Sequence, residues 1–96
     1  MGWDWIKLTQ SIQIPVNSNV NVTADVKATV NSRLLVYFVY EDDTNPQYEI
    51  GFPNGVNTIS ITNVAEKNIK ELQFMFTIKA DGTLFIDNLN VNIRKR

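Results

Sequence analysis

The sequence predicts an all-β protein, an antiparallel two-layer sandwich of about seven strands. Apolar and polar residues alternate with period two in segment after segment, as half-buried strands require. Turn signals interrupt the alternation about every 10–12 residues, a spacing that fits a sandwich or a barrel. The one stretch of helical composition, Ala65–Glu71, is too short for a stable helix and reads as a connection.

From Ile6 to Ile14, Ile6, Leu8, Gln10, Ile12 and Ile14 face one way, against Lys7, Thr9, Ser11 and Gln13. Pro15 has no N–H to give a ladder, and Val16–Asn19 reads as a turn. The next strand is cleaner: Val20, Val22, Ala24, Val26, Ala28 and Val30 oppose Asn21, Thr23, Asp25, Lys27 and Thr29. Arg33–Glu41 is apolar on both faces, with Leu34, Val36, Phe38 and Tyr40 on one side and Leu35, Tyr37 and Val39 on the other. Such a strand is either central and covered twice, or carries an exposed aromatic platform.

Glu41–Pro46 is an acidic loop, and Tyr48, Ile50 and Phe52 form a short alternating strand. Pro53-Asn54-Gly55 predicts a tight hairpin, because Asn-Gly supplies the positive φ such turns need. Val56–Val64 follows with Ile59 and Ile61 in register, then Leu72, Phe74, Phe76 and Ile78. Asp81-Gly82 predicts a second hairpin into Thr83–Ile93. There the apolar phase shifts from Leu84 and Ile86 to Leu89, Val91 and Ile93, which places a bulge near Asp87-Asn88. The expected core is Val22, Val26, Val36, Phe38, Phe74, Phe76, Ile78 and Ile86.

The 96 residues make one domain, 1–96, with no repeat, linker or low-complexity tract. An apolar share of 44% and a charged share of 20% are those of a globular chain. A net charge of −1 gives no field for nucleic acid or anionic lipid, so neither is an expected partner. Cysteine and histidine are both absent, which removes disulfides, thiolates, the commonest general base and nearly every transition-metal site. No cofactor is expected. There is no signal peptide ahead of Trp3 and no apolar run long enough for a membrane span, which leaves the location open: the cytoplasm at synthesis, a virion, or export by a route that needs no cleaved signal.

No carboxylate pair suggests catalysis. A glycosidase needs two carboxyl groups about 5–10 Å apart, one with a raised pKa. Glu41, Asp42 and Asp43 read instead as a solvated turn, Asp25 points away from its strand's core face, and Asp87 falls at the bulge. The expectation is a non-enzyme. The rings are the better candidates, since sugar CH groups pack on π-faces while nearby amides take the hydroxyls. Trp3, Trp5, Tyr37, Tyr40 and Tyr48 are available, and Trp3, Trp5, Tyr37 and Tyr48 are the candidate ligand contacts. Packing is the competing reading for each tyrosine, and a plug over one end of the fold for the two tryptophans. Arg94-Lys95-Arg96 reads as a solubilising tail, and the Asn21-Val22-Thr23 glycosylation pattern as chance.

Four segments carry a resemblance: Val22–Ala28, Leu35–Asp42, Leu72–Thr77 and Gly82–Leu89 (Gly-Thr-Leu-Phe-Ile-Asp-Asn-Leu). Together they resemble the carbohydrate-binding-module jelly rolls, galactose-binding-like sandwiches found beside glycoside hydrolases and in phage tail proteins. The likeness runs from about residue 6 to 93 and mostly encodes packing. It implies a jelly roll without catalysis. In that family the position of Asp87 often helps hold a structural calcium with ligands from a strand and loop preceding the equivalent of Trp3. That segment has no counterpart here, so no metal is expected. Two functions follow: a structural or accessory component of a larger assembly, such as a phage tail or virion, or a module gripping polysaccharide through exposed rings. The second face of Arg33–Glu41 also predicts self-association or docking that buries Tyr37. The lysine-bearing stretch Lys67–Lys79 is expected to guard an edge or loop, while Ile6–Ile14 and Tyr48–Phe52 carry few charges.

Overall fold

A computed structural model describes residues 3–79 and 81–95, with the side chains of residues 6–78 and 81–95. Seven strands follow one another: β1 (Trp3–Ile14), β2 (Ser18–Ala28), β3 (Ser32–Tyr40), β4 (Gln47–Phe52), β5 (Gly55–Val64), β6 (Ile69–Lys79) and β7 (Leu84–Lys95). They form two sheets, one in the order β1-β6-β3-β4 and one in the order β5-β2-β7. Every pairing is antiparallel. The architecture is the all-β sandwich that the alternation predicts.

Of consecutive strands, β3 and β4 pair through the acidic loop, and every other connection passes from one sheet to the other. This corrects both predicted hairpins. Pro53-Asn54 and Asp81-Gly82 carry hairpin-type residues, but β4 and β5 lie in different sheets, as do β6 and β7. Gly55 does take a positive φ of 108°, so the turn chemistry is real and is used at a sandwich corner. The 65–71 connection also ends sooner than the sequence suggests, because β6 begins at Ile69.

The core is the inward phase of the strands. Val22, Val26, Val36, Phe38, Phe74 and Phe76 are buried as expected, joined by Ile14, Val20, Leu34, Ile69 and Leu72. Ile78 and Ile86 are half-buried. The predicted bulge is present: Thr23 pairs with Asn90 and Asp25 with Asp87, so β7 carries one extra residue there. Asn88 absorbs it at φ 51°, a left-handed conformation that asparagine tolerates better than most residues. At one side β4 and β5 approach each other and close the sandwich. Across from that side the four-stranded layer has one strand more than the three-stranded one, and β1 divides: Ile12 and Ile14 pack on the core, whereas Ile6 and Leu8 are exposed.

Candidate functional site

The ladders set which side chains share the outer face of the four-stranded sheet. Thr9, Gln73, Tyr37 and Gln47 form one row across all four strands, and Lys7, Met75, Leu35 and Glu49 form the next. Leu35 and Val39 are 7% and 8% exposed, covered by the chain's own neighbouring side chains, while Tyr37 is half-buried. The second apolar face of β3 is therefore no broad exposed patch. What remains is one partly exposed ring beside two glutamine amides. Gln73 Nε2 donates to Glu71 Oε2 at 2.7 Å, and Arg33 donates to Glu49 at 3.4 Å in the adjoining rows.

The other candidates separate. Tyr48 pairs with Val36 and so faces inward; its ring packs on Phe38 at 4.9 Å between centroids. Burial, with the Tyr40 hydroxyl alongside, pushes the Tyr48 phenol above its ordinary pKa. The side of the half-buried Tyr48 ring that meets Phe38 is taken up by packing. Tyr40 is also buried, and its hydroxyl accepts the Glu66 N–H at 3.1 Å. By register Trp3 stands opposite Lys79 and Trp5 opposite Thr77. The tryptophan side chains lie outside the described residues.

The outer face of the three-stranded sheet holds a site the sequence reading missed. Asn21 Nδ2 donates to Ser60 and Thr62 hydroxyls at 2.9 and 2.8 Å, and Asn92 Nδ2 donates to Asn21 Oδ1 at 3.3 Å. This polar ladder floors a shallow depression lined by Asn19, Asn21, Thr62, Asn92, Ile93 and Arg94. Farther along the same face Lys27 pairs with Val56 on one side and Phe85 on the other. Phe85 is 63% exposed. The legible signal was its position between Leu84 and Ile86, which puts its ring on the polar phase.

The carboxylates are held as acceptors. Lys67 and Thr44 hydrogen-bond Asp42 and hold its carboxyl well below the usual range. Lys70 pairs with Asp43. The lysines at the start of the Lys67–Lys79 stretch thus fasten a loop, but β6 itself is interior to its sheet and guards no edge. Asn88 and Thr58 donate to Asp25 at 2.8 and 2.9 Å and lower its pKa as well. A group held ionised in this way is a poor proton donor. Among the described residues no group of three His, Cys, Asp or Glu is placed to hold a metal, and no helix is long and apolar enough to cross a membrane.

No family model matches this sequence, and no curated protein does. A solved structure described as "CBM4 structure and function" superposes with a TM-score of 0.63 at 17% identity, over 92% of this chain and 61% of that one. At that identity the likeness defines the fold: a carbohydrate-binding-module-like β-sandwich. The chain spans about three fifths of the matched structure's length.

Proposed function

We propose that this domain is a non-catalytic carbohydrate-binding module whose contact surface is the outer face of the four-stranded sheet around Tyr37. The observation that carries the reading is the Thr9–Gln73–Tyr37–Gln47 row: a partly exposed ring with an amide on each side, on the outer face of the sheet. A pyranose can lay its CH face on the Tyr37 ring while its hydroxyls exchange hydrogen bonds with Gln47 and Gln73. Trp5 belongs to the same reading through its register position in the row of Thr77 and Arg33. Tyr48 does not. Few contacts are available, so affinities of about 10 μM to several mM are expected.

Calorimetric titration with a panel of soluble polysaccharides is the test. The expected result is binding by the parent and a loss of about tenfold or more in Tyr37→Ala, with Phe85→Ala, on the opposite face, near the parent value. No binding by the parent up to several mM, or equal affinity in Tyr37→Ala, overturns the proposal.

A second reading, a structural or accessory role in a larger assembly such as a phage tail or virion, is favoured by a different observation. Ile6 and Leu8 are 53% and 41% exposed on the inward phase of β1, whose other end packs Ile12 and Ile14 against the core. The two readings are compatible, since an assembly component can also grip glycans.

A further inference from the structure

We infer that the chain pairs with a second copy of itself along the stepped side of the sandwich, where the overhanging β1 of each copy fills the lane beside the other's β7. An eight-stranded double-sheet jelly roll places four strands in each layer. Here one layer has four and the other three, and the surplus strand is β1. Ile6 and Leu8 pair with Phe76 and Phe74, so they share an inward face with them. Phe76 and Phe74 are 1% and 2% exposed against 53% and 41% for Ile6 and Leu8. In the other layer Leu84, Ile86, Leu89 and Val91 of β7 are only half-buried, and Ile93 is exposed. Beyond β7 the ladder stops, leaving its outer edge unpaired by any strand of the sheet.

A step of one strand is complementary to itself. A two-fold axis along the strands, midway between the layers and beside β7, exchanges the layers of the two copies. Each β1 then enters the empty lane next to the other copy's β7, and Ile6 and Leu8 meet their own counterparts across the axis, an isologous contact. Both strands run in the same direction under this operation, giving one parallel pair inside an otherwise antiparallel sheet, a common mixed arrangement. The alternative two-fold, perpendicular to the sheets, joins β7 to β7, but the second copy's β6 then falls in the space β1 already fills. The lane admits a strand without a sheet stacked over it, and an overhanging β1 is such a strand.

The chemistry of this side agrees. The edges are undefended. β1 carries Asp4 and Lys7 as its only charged residues, and Asn88–Ile93 of β7 has neither charge nor proline. Edges that must stay single normally carry such guards.

Analytical ultracentrifugation from about 1 μM to about 1 mM tests the pairing, with an expected dissociation constant of about 10–100 μM. Leu8→Lys raises it by about tenfold or more. Val56→Lys, on the far edge strand β5, leaves it unchanged. The absence of native cysteine permits a second readout: Ile6→Cys gives a covalent dimer with a thiol-reactive linker of about 10 Å, the spacing of two layers, and Val56→Cys does not. A parent that is monomeric throughout, a Leu8→Lys protein that dimerises equally well, or a monomeric parent that binds a synthetic peptide with alternating apolar residues overturns the inference. Tyr37 takes no part in this contact, so failure here is distinguishable from failure of the glycan reading.

Discussion

Phe76 stands in the middle of β6, between Ile6 of β1 and Leu34 of β3, and is 1% exposed. Truncation to alanine removes a ring from a site hemmed in by two hydrogen-bonded neighbours, so the sheet cannot close over the space. The expected cost is about 3–5 kcal/mol, the range for buried phenylalanine. A chain of this length has a total stability of roughly 5–14 kcal/mol at 0.05–0.15 kcal/mol per residue. Phe76→Ala therefore consumes a large fraction of it and lowers the melting temperature by about 12 °C or more. Phe85→Ala is the matched control: the same side chain on the solvent-facing phase, 63% exposed, with an expected change within about 0.5 kcal/mol. Urea titration and thermal melting of both variants decide the matter. If Phe76→Ala melts within a degree or two of the parent, or if Phe85→Ala is the costlier change, the assigned strand phase is wrong.

Two further outcomes follow from the geometry. A Cβ on Gly82 would lie 2.5 Å from Val30 Cγ2 and 3.1 Å from Ile78 side-chain atoms; because Val30 is β-branched and stiff, Gly82→Ala should cost about 1–3 kcal/mol in a denaturant titration. The Asp42 carboxyl is held below its ordinary pKa by Lys67 and Thr44, so its contribution is present above the unfolded value of about 4 and is lost as pH falls below it. Because the pair is exposed the effect is small and weakened by salt, and Asp42→Asn should lower the neutral plateau of the melting-temperature profile slightly, with the two proteins converging as the pH falls below about 4.

Period-two alternation was enough to read the strands, most of the core and the bulge at Asn88, because each of these is a local consequence of side-chain direction. Sheet membership is not local. Asn54-Gly55 and Asp81-Gly82 supply the backbone freedom of a reversal, and a reversal within one sheet and a crossing between two sheets ask the same of those residues. What separates them is where the following strand finds partners: β5 on Asn19–Ala28, β7 on the other edge of the same strand. The candidate rings divide for a similar reason. Tyr37 and Tyr48 lie on opposite phases, and the phase of a short strand such as β4 became definite only once Tyr48 was paired with Val36. Phe85 escaped notice because the segment around it reads as packing, although its own position in the alternation points outward.

The same limit explains the stepped side. Ile6 and Phe76 are indistinguishable by pattern, each an apolar residue on the inward phase, and the ladder sets them side by side. Their burial differs because burial needs a strand in the facing layer as well as neighbours in the same one. Phe76 has β1 and β3 beside it and is 1% exposed; Ile6, on the edge strand, is 53% exposed among the described residues. A sequence can encode the inward phase of β1 without encoding that its Ile14 end is covered while Ile6 and Leu8 are left exposed. The proposed glycan face and the stepped side are then separate surfaces, one on the outer side of the four-stranded sheet and one along its β1 edge, so the proposed pairing of two copies leaves the Tyr37 row uncovered. Two copies related by an axis along the strands would present their Tyr37 rows on opposite faces of the joined sandwich, an arrangement suited to bridging two polysaccharide chains rather than to gripping one chain twice.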